Sequence, residues 1–478
     1  MMGAISAVRA HHRVPAVASS TALSARERAT LFGITLAIAW GVAVFGAVYT
    51  IPLAVLGVIT IVTAVSMVDS LGPADRRAAG FAALLVAVAS LQILPLPASM
   101  IHPLAHRTLY ARQMEWPHVW EPLSISVQQT TRAVACAAVL SAFCVCLVGW
   151  LREHPYGATA IARNVSIVGT VVAVEAIVQK GTFNGKIYWF WESQWRAQYN
   201  YFGPFVNRNH FAGWMILAGS VTAGWLVAQI SASASHAKVD WRRRLLWWSS
   251  AEAGAIMMTA AGLLVMVVSL VWTMSRSGIA GGSVALLIIM TVAAFQMNGA
   301  RKLIGPALII AVLVIGVLSK GAETLAAWYG TTDTLTWRFV LWKDTASMLK
   351  DYWLLGSGLN TYGILTWVYP MTNPVPHAYE AHNDYLQLVV EGGVLMCATV
   401  LVIAIAGLRV IRARLIAQPD DPSRWIRIGA IAGLSGIALQ ELTDFSLQIP
   451  GVALLFVVAF SLALHDRASS TFRFAPRP

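Results

Sequence analysis

Apolar runs of about the 20 residues a helix needs to cross a bilayer recur along the whole chain, near 31–48, 51–68, 78–96, 130–149, 164–179 and 210–230. Others follow near 253–273, 279–295, 303–319, 386–408, 427–441 and 446–464. The pattern predicts an all-α fold, a polytopic transmembrane helical bundle of about twelve spans. Only Tyr49-Thr50-Ile51-Pro52 separates the first two runs, so they read as a tight hairpin. The run at 427–441 is short for a span. Glycine and proline inside the runs are compatible with membrane helices.

Alternation of the spans leaves three long segments on one side, at about 97–130, 180–209 and 320–383. The last has a pattern of its own. Over 337–353, Lys343, Asp344, Ser347, Lys350 and Asp351 form one polar stripe, and Trp337, Leu341, Met348 and Tyr352 form an apolar face. This reads as an amphipathic helix lying along the membrane surface. Arg338 breaks the pattern. At about 100° per residue it projects opposite the stripe, among Trp342 and Leu349. A cation there needs an anionic partner or an escape to water by snorkelling.

Composition agrees with a membrane protein. Of 478 residues 57% are apolar and 12% are charged, against about 25% charged in soluble domains. Lys and Arg in the short loops set the orientation. With a cytoplasmic N-terminus, most of the 34 basic residues fall on the cytoplasmic side, among them Arg26, Arg76, Arg152, Arg242 and Arg412. Both termini are then expected inside, and the net charge of +12 needs no nucleic-acid partner. The expected organisation is a cytoplasmic tail at 1–30, a single transmembrane catalytic domain at 31–464 and a second tail at 465–478. The run from Leu31 lacks a small-residue cleavage site and reads as a retained first span. Cys136, Cys144, Cys146 and Cys397 lie inside apolar runs and read as core residues. The chain has no internal repeat, which speaks against transporters built from repeated halves.

Three outward clusters carry polar groups just ahead of a predicted helix: Asn207-Arg208-Asn209-His210, Ser275-Arg276-Ser277-Gly278 and Glu380-Ala381-His382-Asn383-Asp384-Tyr385. Helix N-termini present free N–H groups and a positive dipole end. Together with Arg208, Arg276 and Arg338 they would suit a diphosphate, provided the fold brings them together. Taken singly, Arg208 and Arg276 could be interfacial anchors, and Asn209 and Asp384 helix caps. The dipole ahead of its helix disfavours a charged His382, and a neutral imidazole can accept a proton. His210, inside a first turn, suggests packing. Gly356-Ser357-Gly358 and Gly363 lack the Gly-Lys-Ser/Thr of a nucleotide loop and read as the end of the amphipathic helix and a close turn. The aromatics Tyr188, Trp189, Phe190, Trp191, Trp195, Tyr199, Tyr201 and Phe202 form an interfacial belt or stack on sugars. No Asp-x-Asp metal motif occurs in the outer loops.

Ser-Arg-Ser-Gly at 275–278, the Trp-Arg helix leading to Gly-Ser-Gly at 356–358, and Ala-His-Asn-Asp-Tyr-Leu-Gln at 381–387 resemble the O-antigen ligase and O-antigen polymerase superfamily. Gly-Pro-Phe-Val-Asn-Arg-Asn-His-Phe-Ala-Gly at 203–213 is similar to a pattern of its polymerase-like members. The resemblance implies a metal-independent, cofactor-free glycosyltransferase of the membrane glycosyltransferase C type, in the bacterial inner membrane, with a periplasmic active site. Its donor would be an oligosaccharide on undecaprenyl diphosphate, and its acceptor a glycan, a lipid or a protein. It also implies that Arg276 and Arg338 hold the diphosphate, with Arg208 beside them, and that His382 serves catalysis. Asn207, Asn209, Asn383 and Asp384 would support them. Polymerase and ligase remain alternatives at this point, as does, from another class, a flippase for lipid-linked glycans.

Overall fold

The computed structural model describes residues 23–97, 99–101, 120–193, 201–233, 248–296, 333–372, 377–417 and 423–465. The run near 303–319, the basic cluster at 242–244, Trp195, Tyr199 and the tails beyond 23 and 465 lie outside the described residues.

Eleven of the twelve apolar runs coincide with described helices: α1 (Ala25–Ala43), α2 (Thr50–Ser66), α3 (Arg76–Leu91), α4 (Val127–Glu153), α5 (Gly157–Gly181) and α6 (Arg208–Ser233). After these come α7 (Ala251–Trp272) and α8 (Arg276–Gln296), then α9 (Asp333–Tyr352) and the short α10 (Tyr362–Val368). The chain continues with α11 (Asp384–Ala417), α12 (Ser423–Gln440) and α13 (Pro450–Leu464). Six of them, α4 to α8 and α11, are long and apolar enough to cross a membrane by length and composition. The protein is an all-α polytopic membrane protein. The one described sheet is a two-stranded antiparallel pairing of β1 (Pro95–Pro97) with β2 (Trp120–Pro122).

Local chemistry sets the helix ends. Ser24 and Glu27 form a reciprocal capping box at the start of α1, satisfying two backbone donors that have no partner within the helix. The break between α1 and α2 falls at Val44–Tyr49, earlier than the sequence suggests, through a tight turn in which Gly46 takes φ 68°. Pro52 sits inside the first turn of α2, where a missing N–H leaves no helical bond unmade. At the end of the bundle where α1 begins, Arg26 pairs with Asp69 at 2.6 Å and Arg152 with Asp75 at 2.6 Å. Several basic residues counted for orientation thus also tie helix ends together.

The core runs through the bundle around α6, which is buried along most of its length and packs most extensively on α12. Between α8 and α12 the backbones nearly touch: a Cβ at Gly281 would lie 2.4 Å from the Gly436 carbonyl oxygen. Small residues permit such an approach, and van der Waals contact then holds membrane helices that hydrophobicity alone cannot distinguish from lipid.

A second, smaller core gathers Leu123, Met348, Tyr352, Tyr362, Leu365, Tyr369 and Val390. It corrects one expectation from the sequence. The apolar face of α9 does not rest on the membrane surface; Leu341, Met348 and Tyr352 are buried against protein. The Gly-Ser-Gly segment closes this layer. Ser357 and Gly358 donate backbone N–H groups to Val390 and Glu391 at 3.0 and 3.1 Å, and Val394 donates to Trp353 at 2.8 Å. A Cβ at Gly356 would fall 2.0 Å from the Glu391 carbonyl oxygen, and α11 is kinked at Gly393, with φ 65°. No side chain fits at this crossing, which locks the end of α9 to the first turns of α11.

Candidate functional site

Four connections meet at one end of the bundle. The start of α6 is built by Asn207, whose side-chain oxygen accepts from the Asn209 N–H at 2.9 Å and whose carbonyl accepts from His210 at 3.1 Å. This aims Arg208 and Asn209 out of the first turn. The turn from α7 to α8 passes through Met274 at φ 55°. Ser275 Oγ then accepts from the Gly278 N–H at 3.2 Å and starts α8 at Arg276.

Arg338 lies on the buried face of α9 with Leu341, Thr345 and Met348, at 9% exposure. The anionic partner that its position demands is Asp444: Nη2 of Arg338 lies 3.7 Å from Oδ2 of the carboxylate, which is fully buried. Snorkelling is therefore not what places it.

His382 precedes α11 and takes φ 50°, a conformation that costs a non-glycine residue roughly 1–3 kcal/mol. Its neighbours hold it there. The Ala381 N–H donates to Gln387 Oε1 at 2.9 Å, the Ala381 carbonyl accepts from Trp342 Nε1 at 2.9 Å, and Asn383 Oδ1 accepts from the Leu386 N–H at 3.0 Å. The imidazole is flanked by Trp337 at 5.5 Å and Phe445 at 4.9 Å between ring centroids.

The fourth connection, from α12 to α13, was not singled out in the sequence. It contributes Glu441, Asp444 and Phe445. Asp444 Oδ1 accepts the Phe445 N–H at 3.0 Å, and the Asn209 side chain also bonds to this carboxylate. Glu441 Oε2 accepts the Ser446 N–H at 2.8 Å, and its carboxyl shares a hydrogen bond with Asp384. Asp384 Oδ1 in turn accepts from Gln448 at 2.6 Å. The helix-cap roles therefore fall on Asn207 and Asn383, while Asn209 and Asp384 face the carboxylate turn. A signal existed in the sequence: two carboxylates in a short break between apolar runs, on the outward side by alternation.

Electrostatics ties these pieces together. Arg276 and Asp444 are the charged neighbours of Arg208, and Arg276 also acts on Arg338. Arg338 and Arg208 thus bear on one buried carboxylate, Asp444, and Arg276 bears on both of them. Burial raises the Asp444 pKa to about 6 against the opposing pull of Arg338 and Arg208. Glu441 is pushed up by burial and by the charges of Asp384 and Asp444. His382 is held at about 3, first by burial and then by Arg338. Neutrality of the imidazole, expected from the helix terminus, thus has burial as its larger cause.

Buried polar atoms without hydrogen-bond partners concentrate here: Arg338 Nε, His382 Nδ1, both ring nitrogens of His210, Glu441 Oε1 and Asp444 Oδ2. Each such group costs roughly 1–3 kcal/mol, and functional sites are where proteins tolerate that cost. No curated protein matches the chain. The family model described as O-Antigen ligase matches residues 261–401, the stretch that carries Arg276, Arg338 and His382.

Proposed function

We propose that the protein transfers or polymerises glycan from undecaprenyl diphosphate-linked donors at the periplasmic face of the inner membrane, as an O-antigen or exopolysaccharide polymerase does. The observation that carries this reading is the convergence of Arg208, Arg276, Arg338 and His382 at one end of the bundle, with Asp444 beside Arg338 and Arg208. A transporter would instead line a path across the bilayer with charge.

In the reaction, an acceptor hydroxyl oxygen bonds to the anomeric carbon as the bond from that carbon to the diphosphate oxygen breaks. The hydroxyl proton passes to His382, and the diphosphate leaves with the bonding electrons. Arginines neutralise the departing charge and fix its orientation. His382 starts neutral and able to accept. A diphosphate seated on Arg338 offsets the cation that lowers His382, so donor binding itself raises the basicity of the imidazole.

Asn207-Arg208-Asn209-His210 favours polymerase, whereas the matched family's description favours ligase. Purified protein given only undecaprenyl diphosphate-linked oligosaccharide separates the two, because a polymerase elongates it and a ligase requires a different acceptor. In the same assay Arg276→Ala and His382→Ala should abolish transfer, and Arg276→Lys should restore it only in part, lacking the bidentate fork. Full activity in both alanine variants would remove this site from the reaction.

A further inference from the structure

His210 sits buried in the first turn of α6 with its polar groups unsatisfied. It is 3% exposed, and neither ring nitrogen has a hydrogen-bond partner among the described residues. A neutral imidazole carries one donor and one acceptor, so two polar groups stand buried and unpaired, each at a cost of roughly 1–3 kcal/mol. Phenylalanine or leucine would fill the same space without that cost. Packing alone therefore does not explain a histidine here.

Its surroundings say what it faces. The His210 ring lies 4.6 Å from Phe445, edge to face, and Phe445 also meets His382 at 4.9 Å. The two imidazoles bear on each other electrostatically. Phe445 is half-buried and follows Asp444, the partner of Arg338. It is thus the ring shared by both imidazoles.

We propose that His210 is a specificity-determining residue, which hydrogen-bonds a hydroxyl of the acceptor sugar once Phe445 moves aside to admit it. His382 then faces the reacting hydroxyl and His210 a second one, so the pair fixes which hydroxyl is presented. This inference rests on the glycan-transfer reading above.

The test uses the full-length protein in lipid nanodiscs, with undecaprenyl diphosphate as the donor-site probe and undecaprenyl diphosphate-linked oligosaccharide as the substrate. His210→Phe should unfold at the same temperature as wild type or higher, and bind undecaprenyl diphosphate equally well. Elongation should fall by about 5- to 100-fold, the worth of one lost hydrogen bond of that strength, chiefly through a raised KM for the acceptor. His210→Gln, which keeps a donor and an acceptor, should recover part of the rate. A lower unfolding temperature in both His210→Phe and His210→Leu would make the residue structural, and wild-type elongation in His210→Phe would remove it from the acceptor site. Lack of elongation by the wild type would instead sink the polymerase reading, while the unfolding comparison would still decide whether the imidazole is kept at a cost.

Discussion

Replacing Asp444 by asparagine removes one charge and almost no volume, and the site should respond in two opposite ways. At 3.7 Å from Arg338, the carboxylate gains about 4 kcal/mol of attraction at an effective dielectric constant near 20. Desolvation of both groups offsets much of that, so the pair is a poor source of net stability. Breaking it from one side is another matter, because a buried cation left alone costs roughly 3–5 kcal/mol. Arg276 also acts on Arg338, and its repulsion would then go unopposed. Asp444→Asn should therefore lower the unfolding temperature of purified protein. Arg338→Met should cost less, because burial already lifts Asp444 to a pKa of about 6 and the carboxyl can take up a proton when its partner is gone. The double variant should recover most of the loss.

On the proposed reading undecaprenyl diphosphate would supply the missing anion, so it should raise the unfolding temperature of Asp444→Asn by more than that of wild type. The assay is intrinsic tryptophan fluorescence against temperature, with and without the lipid. Additive effects in the double variant, together with equal shifts from the lipid, would refute the idea that Asp444 and the diphosphate occupy the same electrostatic role.

Three further outcomes are expected. Asp444 has a raised folded pKa, so it is ionised and competes for Arg338 above about pH 6 and is neutral below; affinity for a sugar-diphosphate-lipid should rise as pH falls through 6, and titration calorimetry should show the slope vanish in Asp444→Asn. Gly356→Ala places a Cβ 2.0 Å from the Glu391 carbonyl at φ 75°, costing at least about 2 kcal/mol of strain, seen as a lower unfolding temperature together with lost transfer. For topology, single cysteines replacing Lys350 and Arg412, both exposed, in a background lacking the four native cysteines, should differ: an impermeant thiol reagent should label position 350 and spare 412 in cells with a permeabilised outer membrane, and the reverse would invert the orientation.

The spans were legible because a membrane helix announces itself locally, by length and apolarity, and eleven of the runs became described helices. Arg338 was legible for a related reason, since a cation on the wrong face of a periodic helix violates a local rule. Its partner was not. Asp444 lies more than a hundred residues away in a short turn, and nothing in that turn distinguishes an acid facing water from one buried beside Arg338 and Arg208. The same limit explains α9. Periodicity identifies its apolar face but not what covers it, and the cover is Tyr362, Leu365 and the first turns of α11 rather than lipid. Likewise the pattern gave His210 to packing, because a histidine in a first turn acquires meaning only once the ring beside it is known to touch His382.

The pairing of arginines with acids in this site has its own logic. Three arginines alone at a buried helix-end cluster would repel one another and lower their own affinity for protons, as burial and Arg276 already do to Arg338. Asp444 relieves that repulsion from the centre. Glu441 does not add a full second charge, because burial and its neighbours push its pKa up and its carboxyl bonds to Asp384. The cluster is therefore held together by fewer negative charges than it has acids. A doubly charged diphosphate would bring the arginines more negative charge than the single Asp444 carboxylate does. It would also offset the cation that, after burial, holds down the proton affinity of His382. Donor binding and base activation would then be one electrostatic event, which is why the asparagine variant at 444 tests both.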